Sequence, residues 1–228
     1  IQRLILAETW LARRLGRCSL ACEVAGGRAV YDDERVARLD WLAPIATRAD
    51  AARITALVAP ELAMDDLDWQ PLHPRAWRRM FKELAIVWII PALAIGIATG
   101  PWVVLPWAVL TLFSLLSARG TARFAAYAVD GQVIAWRSGW LSRRWTLARI
   151  SKAQSLRLEC SPFDRRAGMA AVAIDTAGAG LTAFRLRIPY LADSTARALC
   201  AHLAARLDTE APPSDTASVA LADPVSAS

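Results

Sequence analysis

From Leu84 to Ala118 the chain carries no Asp, Glu, Lys, Arg or His, and Gly100-Pro101 interrupts the run near its middle. An apolar helix needs about 20 residues to cross a hydrocarbon core of roughly 30 Å, so the run is too long for one crossing and slightly short for two. Gly-Pro is a strong turn signal. The pattern therefore predicts a transmembrane helical hairpin over residues 83–118. Phe81 and Lys82 extend one arm, and Ser117 and Arg119 the other, through side chains suited to an interface. Two alternatives stay open: a re-entrant hairpin, and a pair of buried helices in a soluble protein. The second is disfavoured because a small domain rarely encloses two consecutive helices that are apolar on every face. Pro91 and Pro106 predict kinks, tolerable where neighbouring helices or water satisfy the freed carbonyls.

On either side of this run the apolar period drops to two, the mark of half-buried strands, and the two sides repeat each other. Gln2-Arg3-Leu4-Ile5-Leu6-Ala7-Glu8 aligns with Gln154-Ser155-Leu156-Arg157-Leu158-Glu159-Cys160, and Arg13-Arg14-Leu15-Gly16 with Arg165-Arg166-Ala167-Gly168. No gap is needed. Cys18, Leu20, Cys22 and Val24 then fall on Ala170, Val172, Ile174 and Thr176, and Ala25-Gly26 on Ala177-Gly178, a turn after each strand. Pro44 and Pro189 each stand ahead of a predicted helix. Thr47 with Asp50 has capping-box-like spacing, and Asp193 is the expected N-cap of a helix with Ala196, Leu199, Cys200, Leu203 and Leu207 on one face. The second copy also has strands over Ala122–Val129, Gln132–Arg137 and Arg144–Leu147, joined through Asp130-Gly131, a hairpin-turn dipeptide, and Ser138-Gly139. Counterparts of these opening strands are expected upstream of Ile1, as in a C-terminal fragment. Two departures from the repeat are visible. An insertion within Arg28–Leu39, carrying Asp32, Asp33 and Glu34, predicts a longer loop, and Pro162, standing where Trp10 stands, predicts a disturbed strand end.

The run Tyr127-Ala128-Val129-Asp130-Gly131, Arg137-Ser138-Gly139-Trp140-Leu141, Gln154-Ser155, Arg165-Arg166-Ala167-Gly168, Asp175-Thr176-Ala177-Gly178 and Ile188-Pro189 resembles the bacterial pleckstrin-homology (PH) domain of the DUF304 (bPH2) type, found in YdbT-like membrane proteins. Trp69-Gln70-Pro71-Leu72-His73-Pro74-Arg75-Ala76 is similar to the linker preceding a hairpin in such proteins. The resemblance implies a fold that is mainly β with α: PH-like split barrels, each of antiparallel strands plus a C-terminal helix, joined by the transmembrane hairpin. The expected organisation is the C-terminal part of one PH-like domain over 1–60, a linker and juxtamembrane segment over 61–82, the hairpin over 83–118, a complete PH-like domain over 119–207 and a disordered, Ala/Ser/Pro-rich tail over 208–228. No established reaction comes with the family.

Charge sets the orientation. Arg75, Arg78, Arg79 and Lys82 precede the hairpin and Arg119 and Arg123 follow it, whereas the turn at Gly100 has none. Positive flanks stay in the cytoplasm, so the sequence predicts a multi-pass inner-membrane protein with both polar parts cytoplasmic and Trp102 at the far interface. The formal net charge is +6, the sequence pI near 9.7 and the mean hydropathy +0.29. Because the arginines are scattered rather than gathered on one helix, nucleic acid is not the expected partner. The lipid bilayer is, through an anionic leaflet that attracts juxtamembrane cations, together with other PH-like membrane subunits or self-association.

Catalytic material is sparse. Only His73 and His202 are present, one in a proline-flanked linker and one on the last helix. Cys18 and Cys22 fall on one strand face and read, with Cys160 and Cys200, as small hydrophobes in a reducing compartment. Asp65, Asp66 and Asp68 read as a hydrated linker face, and Ala177-Gly178-Ala179-Gly180 lacks the strand-then-helix setting of a phosphate-cradling loop. No catalytic residue, metal or cofactor is expected. The remaining constellation is the paired arginines Arg13, Arg14, Arg165 and Arg166 at equivalent turns, whose guanidinium groups suit lipid phosphate or an acidic partner; a solvated turn is the plainer reading. The expected function is non-enzymatic, an interaction or assembly module at the membrane. The alternative is a component of a transport or export system, although the hairpin carries no charge of the kind that marks ion or substrate routes.

Overall fold

The computed structural model describes residues 3–23, 40–62, 67–99, 104–176 and 186–210, without the side chains at 23, 40, 88–90, 92–94, 96–99, 104, 154, 176 and 208–210. The fold is mixed α/β, with antiparallel sheets and a C-terminal helix. The first repeat supplies β1 (Arg3–Glu8), α1 (Trp10–Arg14), β2 (Cys18–Glu23), β3 (Asp40–Ala46) and α2 (Arg48–Val58). A short β4 (Gln70–Pro71) leads to the paired helices α3 (Ala76–Thr99) and α4 (Val104–Phe124). The second repeat follows as β5 (Ala126–Asp130), β6 (Val133–Ser138), β7 (Arg143–Arg149), β8 (Ala153–Glu159), α5 (Pro162–Arg166), β9 (Met169–Thr176), β10 (Leu186–Ala192) and α6 (Asp193–Glu210).

The repeat extends to strand register. Leu4 pairs with Cys22 and Leu6 with Leu20 in β1–β2, as Leu156 pairs with Ile174 and Leu158 with Val172 in β8–β9. Leu20 faces Ala43 and Cys18 faces Ala46; their counterparts Val172 and Ala170 face Ile188 and Leu191. Each copy carries a register shift between those two pairs. A slip of one residue would turn every apolar side chain to the other face, so shared register means shared inward faces.

The strands form a three-stranded sheet in the order β10-β9-β8 and a seven-stranded sheet in the order β3-β2-β1-β7-β6-β5-β4. The first repeat is joined to the second edge to edge, with β1 pairing antiparallel to β7 from Arg3–Ala148 to Glu8–Arg143. The meander β5–β7 is consequently buried on both faces, and its alternating residues divide between two cores. Tyr127, Ile134 and Ala148 pack with Val172, Ile188, Leu199 and Leu203 of the second repeat, whereas Ala128, Ala135 and Leu147 pack with Leu4, Leu20 and Ala51 of the first. Cys18 and Cys22 are buried in the latter core, and burial pushes the Cys18 thiol up from its ordinary value.

Several expectations change. Ala122–Phe124 continue α4, and the strand starts only at Ala126. Pro162 does not disturb a strand end: it is the first residue of α5, where its missing N–H has no helical partner to lose. Pro106 lies in the first described turn of α4, and Pro91 lies within α3. Asp193 opens α6 from within its first turn and accepts a hydrogen bond from Arg197 Nε at 2.9 Å. Thr47 caps α2 as expected, accepting from the Asp50 amide and donating to its carboxylate at 2.6 Å. The two arms of the predicted hairpin are helices, but among the described residues no helix is long and apolar enough to cross a membrane. Their described ends carry Arg78, Arg79, Lys82 and Glu83 in α3 and Arg119 and Arg123 in α4. Gly100-Pro101, Trp102, the Arg28–Leu39 insertion, Asp65, Asp66, Ala177–Gly180 and the tail after Glu210 lie outside the described residues.

Two glycines with positive φ separate backbone freedom from space. Gly131 (φ +50°) has nothing within 4 Å of an added Cβ, whereas at Gly139 (φ +104°) that atom would meet the Ser142 carbonyl oxygen at 1.8 Å. We expect Gly139→Ala to lower the unfolding midpoint well beyond Gly131→Ala, by about 1–3 kcal/mol against about 1. Denaturant titration followed by tryptophan fluorescence measures the difference.

Candidate functional site at the base of the helix pair

Helix α3 is fixed to the second repeat from its first residue. The His73 amide donates to the Tyr190 carbonyl and His73 Nδ1 accepts from the Arg75 amide, both at 3.1 Å, turning the chain so that Leu72 and Ala76 enter the core. His73 is thus a turn-forming residue, and His202 is exposed on α6. One turn along α3, Arg79 Nε meets Asp164 Oδ1 at 3.1 Å and Arg79 Nη1 meets Glu83 at 3.0 Å. Glu83 in turn accepts the Tyr190 hydroxyl at 2.6 Å. Asp164 is held by its own capping box, since its Oδ2 accepts from the Ser161 hydroxyl at 2.7 Å and from the Ser161 amide at 3.3 Å. The chain Asp164–Arg79–Glu83–Tyr190 therefore ties α5, α3 and β10 together.

Tyr190 itself occupies the left-handed region (φ +60°) within the β9–β10 irregularity, an uncommon place for a bulky residue. Burial first, and then the hydrogen bond to Glu83, raise its phenol far above the ordinary value. A raised folded-state value means that the linked stability is complete below the unfolded pKa of about 10 and is lost as pH rises through the folded one. We expect stability to fall above about pH 10 and Tyr190→Phe to remove the last phenolate step in a titration followed at 295 nm.

A cleft of about 860 Å³ opens beside this network. Arg75 from the turn before α3, Arg78, Lys82 and Glu83 of α3 and Arg166 of α5 line it together with Phe81 and Phe163. Arg79 also lines it, but its charge is taken by two carboxylates; the other four cations make no ion pair among the described residues.

The first arginine pair sits beside the other helix. Arg13 Nη1 donates to the Trp140 carbonyl at 3.5 Å, and the Trp140 ring lies 6.0 Å from Phe113 of α4, over Gly120, where an added Cβ would come within 2.3 Å of the indole. Nearby, the Arg143 guanidinium stacks 4.4 Å from the Phe124 ring centroid, and its pKa is lowered by burial first and then by Arg13. Trp77 of α3 carries the Arg119 guanidinium of α4 at 4.5 Å and Arg78 at 5.4 Å.

Both pairs, Arg13-Arg14 and Arg165-Arg166, thus belong to the last turns of equivalent five-residue helices rather than to plain turns. One helix lies by α4 and the other by α3, and each exposes an equivalent large apolar side chain, Leu11 or Phe163. Arg166 enters the cleft, whereas Arg165 is not among its walls. Charge pattern alone did not single out Arg79, Asp164, Glu83 or Tyr190. A signal for the first contact existed in Ser161-Pro162-Phe163-Asp164, a capping box with proline at the first helical position. Among the described residues no group of His, Cys, Asp and Glu is placed to hold a metal.

Compared with known proteins, residues 81–207 match the family model described as bacterial PH domain. No curated protein and no solved structure matches the chain. The matched residues run from the basic base of α3 through the whole second repeat and take in more than half of the sequence, so the chain belongs to the bacterial PH domain family.

Proposed function

We propose that this is a non-enzymatic inner-membrane protein whose α3–α4 hairpin, over 83–118, is embedded in the bilayer and whose PH-like parts, over 1–60 and 119–207, are cytoplasmic assembly surfaces. One observation carries the reading. The helix pair exposes Ile86, Val87, Ile95, Leu105, Val109, Leu112 and Leu116 above a base that exposes Arg75, Arg78, Lys82 and Arg119. Water does not favour so many large apolar side chains exposed on one helix pair, while acyl chains above and anionic headgroups below match them. The uncharged run from Leu84 to Ala118 supplies the length once Lys82 and Arg119 extend its arms to the interface. Arg13, Arg14, Arg165 and Arg166 then face the headgroup layer from either side of the hairpin, and similar PH-like subunits or further copies of the chain are the partners of the sheet and helix surfaces left exposed.

The test is extraction and topology. Washing membranes with alkaline carbonate should leave the protein in the pellet, and protease added to spheroplasts should spare both termini until the membrane is permeabilised. Release into the supernatant, or cleavage of either terminus in intact spheroplasts, overturns the proposal.

A further inference from the structure

We infer that the cleft between α3 and α5 seats a single anionic phospholipid, its phosphate held by Arg75, Arg78, Lys82 and Arg166 and its acyl chain lying along Phe81 and Ile86. The inference rests on the membrane reading and deepens it. Four cations converge on one concave space and form no ion pair among the described residues; Glu83 also lines it, but its carboxylate is engaged by Arg79 and the Tyr190 hydroxyl, and Arg79, held by Asp164 and Glu83, ties the two walls together. Like charges gathered in this way repel each other, and a bound phosphate reverses that penalty with charge-assisted hydrogen bonds. The apolar part of the lining decides between a lipid and a free anion. Phe81, Ala85 and Ile86 continue the wall up α3 towards its uncharged stretch, a path that inorganic phosphate cannot use and an acyl chain can. Phe163, 63% exposed on the opposite lip, gives the chain a second apolar side.

The experiment uses the full chain reconstituted in phosphatidylcholine nanodiscs, with phosphatidylglycerol titrated in and retained lipid read by native mass spectrometry. One phosphatidylglycerol should be retained per chain. Lys82→Gln with Arg166→Gln should weaken retention by about 20- to 30-fold, since each juxtamembrane cation contributes about a factor of five. Ala85→Trp, which fills the cleft at constant charge, should also abolish it. Arg157→Gln in β8 with Arg206→Gln in α6, an equal charge change away from the cleft and the hairpin base, should alter retention less than about threefold. Equal losses from both arginine-containing pairs would mean diffuse attraction, and retention undiminished in Ala85→Trp would place the lipid elsewhere; either overturns the assignment. Displacement of the lipid by millimolar inorganic phosphate would identify a free-anion site instead and overturn it too. A protein that carbonate releases from membranes fails the membrane reading, whereas one that stays embedded and retains no phosphatidylglycerol fails only the cleft.

Discussion

Replacing Arg79 with Met is expected to destabilise the protein by about 3–5 kcal/mol, because it leaves a carboxylate buried without its counter-charge. Asp164 is 8% exposed and Arg79 15% exposed at the side chain, so water cannot take over the lost partner. The same change frees Glu83 from one cation and loosens its hold on Tyr190. Asp164→Asn keeps the oxygen that accepts from Ser161 and removes only the charge, so it should cost less. The double variant Arg79→Met/Asp164→Asn should be more stable than the sum of the single losses, since no isolated charge remains. Denaturant midpoints of the four proteins close the cycle. Additive losses would mean that Arg79 and Asp164 do not act as a pair, and the described link between α3 and the second repeat would have to lie elsewhere.

This link shows where reading the chain reaches its limit. The repeat, its strands and its register were legible because period-two alternation of Leu4, Leu6, Cys18, Leu20 and Cys22, and of their counterparts, reports directly which side chains share a face. The helix pair was legible from the absence of charge. The five-residue helices are not legible in the sequence, since one turn is too short for a 3.6-residue period to register; Thr9 and Ser161 mark their starts, yet their neighbours look like strand ends. The Arg79–Asp164 contact joins residues far apart in the chain, and nothing local in either segment names the other. The β1–β7 pairing is hidden for the same reason. An edge strand offers unpaired backbone groups to any suitable partner, so the alternation within Arg3–Glu8 specifies a strand without specifying its neighbour.

The β1–β7 junction supports the second large effect, expected for Leu147→Ala. Leu147 is fully buried and belongs to the core that joins β5–β7 to the first repeat, while its neighbour Ala148 faces the core of the second repeat. Deleting its isobutyl group should cost about 2–5 kcal/mol, rising by about 24 cal/mol for each Å³ of cavity that fails to collapse. The location of the damage matters more than its size. If the meander serves two separate cores, amide exchange in Leu147→Ala should accelerate across Arg3–Glu23 and Arg48–Val58 and remain closer to wild type across Met169–Thr176 and α6. Ile188→Ala, in the opposite core and likewise fully buried, should produce the mirror image. A single exchange pattern common to both variants would show that the seven-stranded sheet transmits the loss through its shared strands, and that the two repeats unfold as one cooperative unit. Distinct patterns would show that alternate side chains of three strands keep two folding units apart, with the base of the α3–α4 pair fastened to the second through Leu72, Ala76 and Arg79.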